Sequence, residues 1–176
     1  MKKIFILFAV VGLVAFSSCE GPEGPEGPEG IPGQSVNRVY ELVNVDFGQN
    51  AEDGYNISGT INPLLTDAST VLIYRLVGTI DAQTPVWQLI PVEISLTNNR
   101  NVYYDYDFSK EDYKIYVRGN YDLETTAADF LDDQTFRLVF IPGSFINKSV
   151  NKPDYSDYYK VIKEYNIDDS NVKRLN

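Results

Sequence analysis

The fold is decided by residues 101–118, which read NVYYDYDFSKEDYKIYVR. One set of alternate residues is apolar or aromatic: Val102, Tyr104, Tyr106, Phe108, Tyr113, Ile115 and Val117. The set between them carries charges and hydroxyls: Tyr103, Asp105, Asp107, Lys114, Tyr116 and Arg118. Because successive side chains of a strand point to opposite faces of a sheet, this alternation predicts two strands, each with one buried and one solvated face, joined by a turn at 109–112.

Similar runs lie on both sides of this stretch, separated by turn residues. Seven segments are predicted to be strands: 36–47, 55–59, 70–77, 87–94, 102–108, 113–118 and 135–141. Short strands at this spacing are typical of an antiparallel β-sandwich. Strands with one solvated face argue against a parallel α/β fold, whose strands are buried on both faces. The expected fold class is therefore mainly all-β, a sandwich of about seven strands with a C-terminal helix.

Two helical segments are predicted. Residues 125–131 favour one short helical turn. Residues 154–165 place Tyr158, Val161, Ile162 and Tyr165 at the i, i+3, i+4 and i+7 positions of one helix face, with Asp154 or Ser156 as the N-cap. We expect this apolar stripe to pack against a sheet edge or an open end of the sandwich, where it would also block edge-to-edge pairing.

Residues 1–18 have the organisation of a secretory signal peptide. Two lysines begin it, and the apolar run 4–16 follows. A membrane-spanning helix needs about 20 apolar residues, so this run is too short to act as the anchor.

Cys19 is the only cysteine, and it follows two serines. This pattern resembles a bacterial lipobox, in which the cysteine sulfur is acylated and the cysteine becomes the first residue after cleavage. The alternative is an ordinary signal peptide with an unused cysteine. Lipidation is favoured because an unpaired thiol is a liability in an oxidising compartment, and several acyl chains at one site anchor a protein stably.

Residues 19–34 form the next segment, in which Gly-Pro-Glu occurs three times at 21–29 and is followed by Gly-Ile-Pro-Gly. Glycine at every third position with proline is the collagen pattern, which raises the alternative of a trimeric stalk. A single-chain extended spacer is favoured, because the run is short and three parallel chains would stack rings of glutamate. Such a spacer holds the folded domain, residues 35–176, on the order of 40 Å from Cys19.

Composition excludes several classes of function. The chain has 15 basic and 25 acidic residues, a net charge of −10 and no histidine. This charge disfavours binding to nucleic acid and to anionic lipid surfaces. Without histidine or a second cysteine, no Ser-His-Asp triad, Cys-His pair, disulfide or ordinary zinc or copper site is available.

Carboxylates are the remaining chemical candidates. They cluster as Asp105, Asp107, Glu111 and Asp112, as the pair Asp132-Asp133 and as the pair Asp168-Asp169. A glycosidase needs two such groups at a defined separation, but in so acidic a chain a solvated acidic face is the favoured interpretation. No catalytic residue is therefore predicted.

Calcium binding is a second chemical candidate. The segment Asp105-x-Asp107-x-Ser109 begins like a calcium loop, but its sixth position is Lys110 rather than glycine and its twelfth is Tyr116 rather than glutamate. We expect neither a metal nor another cofactor.

Four rings are candidates for a binding surface: Trp87, Tyr103, Tyr116 and Tyr121. If exposed, they would stack on sugars or on a partner protein. For any single ring the favoured interpretation is that it covers the sheet and supports cross-strand pairs, whereas a cluster of exposed rings would indicate binding.

The chain resembles a family of collagen-like lipoproteins of the Bacteroidota. The resemblance rests on Cys19-Glu20 with the Gly-Pro-Glu repeats, 86–89 with Pro91, 104–108, 136–142 and the C-terminal stretch 158–172. It covers nearly the whole chain and implies a lipid-anchored envelope protein of unknown function, with no family active site to carry over. Glu20 resembles the acidic signals that send some such lipoproteins to the outer cell surface, although the periplasmic face is the alternative.

The sequence thus predicts an outer-membrane lipoprotein, anchored in the membrane through Cys19, with a non-catalytic interaction role in an envelope protein assembly. A carbohydrate-binding module is the alternative, and a carboxylate-dependent hydrolase is the third. Each predicts a different surface: an apolar and aromatic patch, rings beside polar groups, or a cleft with two carboxyls of separated pKa values.

Overall fold

A computed structural model describes residues 38–50, 53–143 and 154–176. The predicted signal peptide (1–18), Cys19 and the Gly-Pro-Glu spacer lie outside the described residues. Within the described part of the chain, no helix has the length and apolar content needed to cross a bilayer.

The described residues form ten strands and one α-helix, α1, at Tyr158–Glu164. The strands are β1 Arg38–Val45, β2 Gln49–Asn50, β3 Gly54–Thr60, β4 Thr70–Asp81, β5 Thr84–Leu89, β6 Val92–Ser95, β7 Asn101–Phe108, β8 Asp112–Gly119, β9 Gln134–Ile141 and β10 Lys173–Arg174. All seven predicted segments contain strand, and β2 and β10 are two-residue additions.

The strands form two five-stranded sheets. Sheet 1 has the order β10-β1-β9-β4-β5, and sheet 2 has the order β2-β3-β8-β7-β6. Every pairing is antiparallel except that of β10 with β1, which is parallel. The predicted mainly antiparallel β-sandwich is confirmed.

One predicted strand, 87–94, is in fact two. The chain leaves β5 in sheet 1 at Leu89 and enters β6 in sheet 2 at Val92, so Ile90 and Pro91 carry it across the sandwich. The physical reason is Pro91, which has no N–H to donate to a strand ladder and so interrupts pairing within one sheet.

The predicted alternation in β7 and β8 is confirmed by the register. Tyr104 lies opposite Val117 and Tyr106 opposite Ile115 on the face towards sheet 1. Together with Phe136 and Leu138 of β9, which are fully buried, they belong to the core between the two sheets. Each such side chain contributes about 1.5–3 kcal/mol by leaving water.

The helix α1 has the predicted buried stripe and contacts an edge strand, β5, as predicted, but the stripe also covers the outer face of sheet 1. Tyr158 and Val161 are each 1% exposed and pack on the outer face of sheet 1, against Tyr74 of β4 and Val139 of β9. At the opposite edge of sheet 1, β10 pairs with β1. The outer face of sheet 1 also needs cover because β4 and β9 are apolar on both faces.

Two local details differ from prediction. The N-cap of α1 is Asp157, whose carboxylate accepts from the backbone N–H of Lys160 at 3.1 Å, whereas the Asp154 carboxylate accepts from Ser156 in the preceding turn. The predicted helical turn at 125–131 is two 3-10 turns, Leu123–Thr125 and Ala128–Phe130.

Candidate functional site

The outer face of sheet 2 differs from that of sheet 1 because its side chains are exposed or half-buried. We call it the open face, and its members from β6, β7 and β8 are Glu93, Asn101, Tyr103, Asp105, Asp107, Lys114, Tyr116 and Arg118. The register places Tyr103 opposite Arg118 and Asp105 opposite Tyr116. The two tyrosines are therefore diagonal neighbours.

Tyr116 contacts charged side chains through both its ring and its hydroxyl. The Arg118 guanidinium carbon lies 5.0 Å and the Lys114 Nζ 5.7 Å from the centroid of its ring. Its hydroxyl donates a hydrogen bond to Asp107, and this bond raises the pKa of Tyr116 above its usual value. Lys114 also bonds Asp53 at 2.8 Å, which raises the pKa of that lysine. Since cations already contact the Tyr116 ring, it is a structural element of the face rather than a free stacking platform.

A groove of about 510 Å³ crosses the same face where β6, β7 and the end of β8 meet. Its lining includes Val92, Glu93, Tyr103, Asp105, Arg118 and Asn120. The groove thus combines an aromatic side chain with two carboxylates, a guanidinium and an amide, while Val92 packs against the core beneath it. Its volume falls in the range that proteins use for small ligands.

Tyr103 is fixed in orientation within this groove. Its hydroxyl donates to Glu93 Oε1 at 3.3 Å and accepts from Asn101 Nδ2 at 3.3 Å. Asn101 also donates to Glu93, which closes a small polar network. Across the strand pair, Arg118 Nη1 lies 3.7 Å from Asp105 Oδ2. Each carboxylate of the groove therefore has a polar partner already.

The four predicted rings do not form one surface. Trp87 is only 8% exposed, since it packs beneath α1 with its ring 5.7 Å from that of Tyr158 and 4.5 Å from the Arg137 guanidinium. Trp87 is therefore not available as a binding ring and covers the sheet instead, as the other interpretation of these rings expected.

Tyr121 also lies away from the open face. Its ring is 4.6 Å from the Arg100 guanidinium, and its hydroxyl accepts from Thr126 at 2.8 Å. It is half-buried in the segment that follows β8. Of the four predicted rings, only Tyr103 and Tyr116 share a surface.

The carboxylates are dispersed. Asp105 and Asp107 lie on the open face, and Asp112 accepts from Ser109 in the β7–β8 turn. Asp133 belongs to the turn before β9, where its N–H donates to Asp46, and Asp169 lies 3.2 Å from Arg137. Among the residues the structure describes, no three carboxylates converge in the way that a metal ion requires.

A second surface was not predicted from the sequence. In the hairpin of β4 and β5, Val77 is 43% exposed, Ile80 77% and Val86 36%. Tyr159 of α1, 48% exposed, lies beside them and donates to the Pro85 carbonyl at 2.9 Å. We call these four side chains the hairpin patch.

Two β-bulges produce the exposure in the hairpin patch. The register with β5 shifts between Leu76 and Gly78 and again between Thr79 and Asp81, so Val77 and Ile80 are the extra residues. The available sequence signal was the lack of charge, since Asp81 is the only charged residue in 76–92. Bulges themselves leave no reliable mark in a sequence.

No protein-family model, curated protein or solved structure matches the chain.

Proposed function

We propose that this chain is a lipid-anchored accessory protein of a bacterial outer membrane, without catalytic activity, that docks on another envelope protein. The observation that carries the proposal is the hairpin patch. Large aliphatic side chains grouped on one exposed hairpin mark protein contact sites, and Ile80 is the most exposed large apolar residue among those described. Burying it contributes about 1.5–3 kcal/mol.

The chemistry of the patch defines the partner. The chain carries a net charge of −10, yet residues 76–92, around the patch, contain one charged residue. A partner with an apolar pocket and a neutral or basic rim can approach here without like-charge repulsion. A patch of four side chains gives a modest affinity in free solution, and confinement of both partners to one membrane raises their effective concentration.

The proposed anchor is acylated Cys19, with residues 19–34 as a single-chain spacer and the domain facing the cell surface. It is supported by the signal peptide that precedes Cys19 and by the resemblance to collagen-like lipoproteins. Protease treatment of intact cells tests the orientation. Cleavage of the domain before lysis is expected, and protection until lysis would place it in the periplasm.

The docking proposal is tested by affinity purification of the native lipidated protein from mildly solubilised envelopes. We expect one outer-membrane protein at stoichiometric yield, lost in Ile80→Asp because the substitution places a charge in the apolar contact. Leu64→Asp is the matched control, since Leu64 is 62% exposed but lies in the loop between β3 and β4. Recovery of a solitary protein, or equal loss in both variants, would contradict the proposal.

A further inference from the structure

We propose that the groove on the open face binds a neutral saccharide. This site is separate from the hairpin patch, and the proposal does not depend on the docking function. It rests on the composition of the groove, on the balance of its charges and on the fixed position of Tyr103.

The side chains of the groove match the two kinds of surface on a sugar ring. The Tyr103 ring offers apolar contact to the C–H face of a pyranose. Glu93 and Asp105 accept hydrogen bonds, whereas Arg118 and the Asn120 amide donate them. Sugar hydroxyls both donate and accept, so they pair with either kind of group.

The charge of the groove favours a neutral ligand. Among the described residues that line it, Arg118 is the only cation, and its Nη1 lies 3.7 Å from Asp105 Oδ2. Glu93 is occupied by Asn101 and Tyr103. No unbalanced cation remains to attract a phosphate, sulfate or uronate, and the net charge of −10 repels anions further.

The aromatic contact is already in place before a ligand arrives. The two hydrogen bonds of 3.3 Å to the Tyr103 hydroxyl fix the ring, so little side-chain entropy is lost on binding. Tyr103 is therefore the residue whose removal should matter most, while Tyr116, with its ring beside two cations, should contribute little.

The full lipidated chain in zwitterionic, sugar-free detergent is tested by biolayer interferometry. The probes are neutral gluco-, xylo- and manno-hexasaccharides beside sulfated and uronate hexasaccharides. We expect binding of at least one neutral probe and of no acidic one. Tyr103→Ala should weaken binding about tenfold, and Arg118→Gln about threefold through a lost hydrogen bond.

Two further variants keep the test decisive. Tyr103→Phe retains the ring and loses only the hydroxyl bonds, so it should bind within about threefold of the natural protein even if Tyr103→Ala proves unstable. Lys114→Gln, on the same face outside the groove, should leave binding unchanged. The proposal is overturned if no neutral probe binds, if only acidic probes bind, or if binding survives both Tyr103→Ala and Arg118→Gln.

Discussion

The two sheets of this sandwich differ in whether their outer faces are covered. Sheet 1 is buried on both faces, by the core on one side and by α1 on the other, whereas sheet 2 is buried on one face and presents polar and aromatic side chains on the other. The sequences of the strands reflect this. In β4, five consecutive residues from Val71 to Arg75 are buried, whereas β8 alternates buried and accessible residues throughout its central part.

The comparison shows where this protein has room for function. A face that is covered by a helix contributes stability, because its aromatic side chains are buried against that helix. A face that keeps its polar side chains in water costs little to alter and is free to bind. Substitutions of the same residue type on the two outer faces should therefore have very different effects.

The largest difference is expected between two tyrosines. Tyr158→Ala removes a ring that is 1% exposed and in contact with Tyr74 and Trp87, and should lower the free energy of unfolding by about 4 kcal/mol. Tyr116→Ala on the open face should cost about 1 kcal/mol or less. Urea unfolding followed by circular dichroism measures both. Equal costs would mean that α1 is not stably seated on sheet 1.

A smaller difference is expected between two arginines. Arg137, with a side chain 15% exposed, donates to Glu41 at 3.1 Å, to Asp169 at 3.2 Å and to the Tyr158 hydroxyl at 2.6 Å. Arg137→Met leaves Asp169 without its cation and Glu41 with only Arg174, at 3.9 Å, and should cost about 3 kcal/mol.

Arg118→Met is the matched change on the open face. Because the Arg118 side chain is 61% exposed and its nearest carboxylate contact is 3.7 Å, the expected cost is about 1 kcal/mol or less. The same unfolding experiment at neutral pH compares the two variants. A cost for Arg118→Met that matched the cost for Arg137→Met would remove the distinction between a closed and an open face.

The buried tyrosines should make the protein sensitive to alkali. Burial raises the pKa of Tyr104 to about 12, against 10.0 for the free side chain. Below pH 10 both states keep the proton, so the stabilisation is complete. Between pH 10 and 12 the unfolded chain loses the proton first, so stability falls with rising pH, on the order of 2 kcal/mol for this group.

Tyr104→Phe isolates the contribution of that group. The variant loses the hydrogen bond of 2.6 Å to the Phe130 carbonyl and should be less stable at neutral pH. Its stability should nevertheless decline less steeply from pH 10 to 12 than that of the natural protein. Unfolding curves at several pH values provide the slopes, and identical slopes would show that Tyr104 does not contribute to the alkaline transition.

The periodicity of apolar residues predicted which side of each strand is buried. It did not predict which element covers that side. In β7 and β8 the alternation assigned Tyr103 and Tyr116 to the wet face, where the structure has them. In β5 the same reasoning gave no assignment for Trp87, because a strand with apolar residues on both faces does not indicate which element lies above it. The four residues of the α1 stripe were identified, but the surface beneath them was not.

The features that carry the proposals depend on strand pairing and register, which the periodicity of apolar residues does not give. The groove forms only when β6 pairs with β7, and the sequence analysis joined β6 to β5 across Pro91. The hairpin patch depends on two register shifts that expose Val77 and Ile80, and nothing in the local sequence fixes such a shift. Composition carries a signal there, since residues 76–92 of this acidic chain contain a single charged residue, but the sequence analysis did not predict a surface from it.

The smallest predicted effect is a difference in how strongly salt weakens the ion pairs of the two sheets. Lys114 and Asp53 on sheet 2 are 2.8 Å apart with side chains 30% and 47% exposed, whereas the Arg137 and Glu41 side chains are 15% and 17% exposed. Double-mutant cycles with Lys114→Met and Asp53→Asn, and with Arg137→Met and Glu41→Gln, measure each coupling. Salt at 1 M should abolish the Lys114 coupling and leave most of the Arg137 coupling, because ions screen exposed pairs far more than buried ones. If salt weakened both couplings equally, water would have to reach the Arg137 cluster, and the outer face of sheet 1 would be open as well.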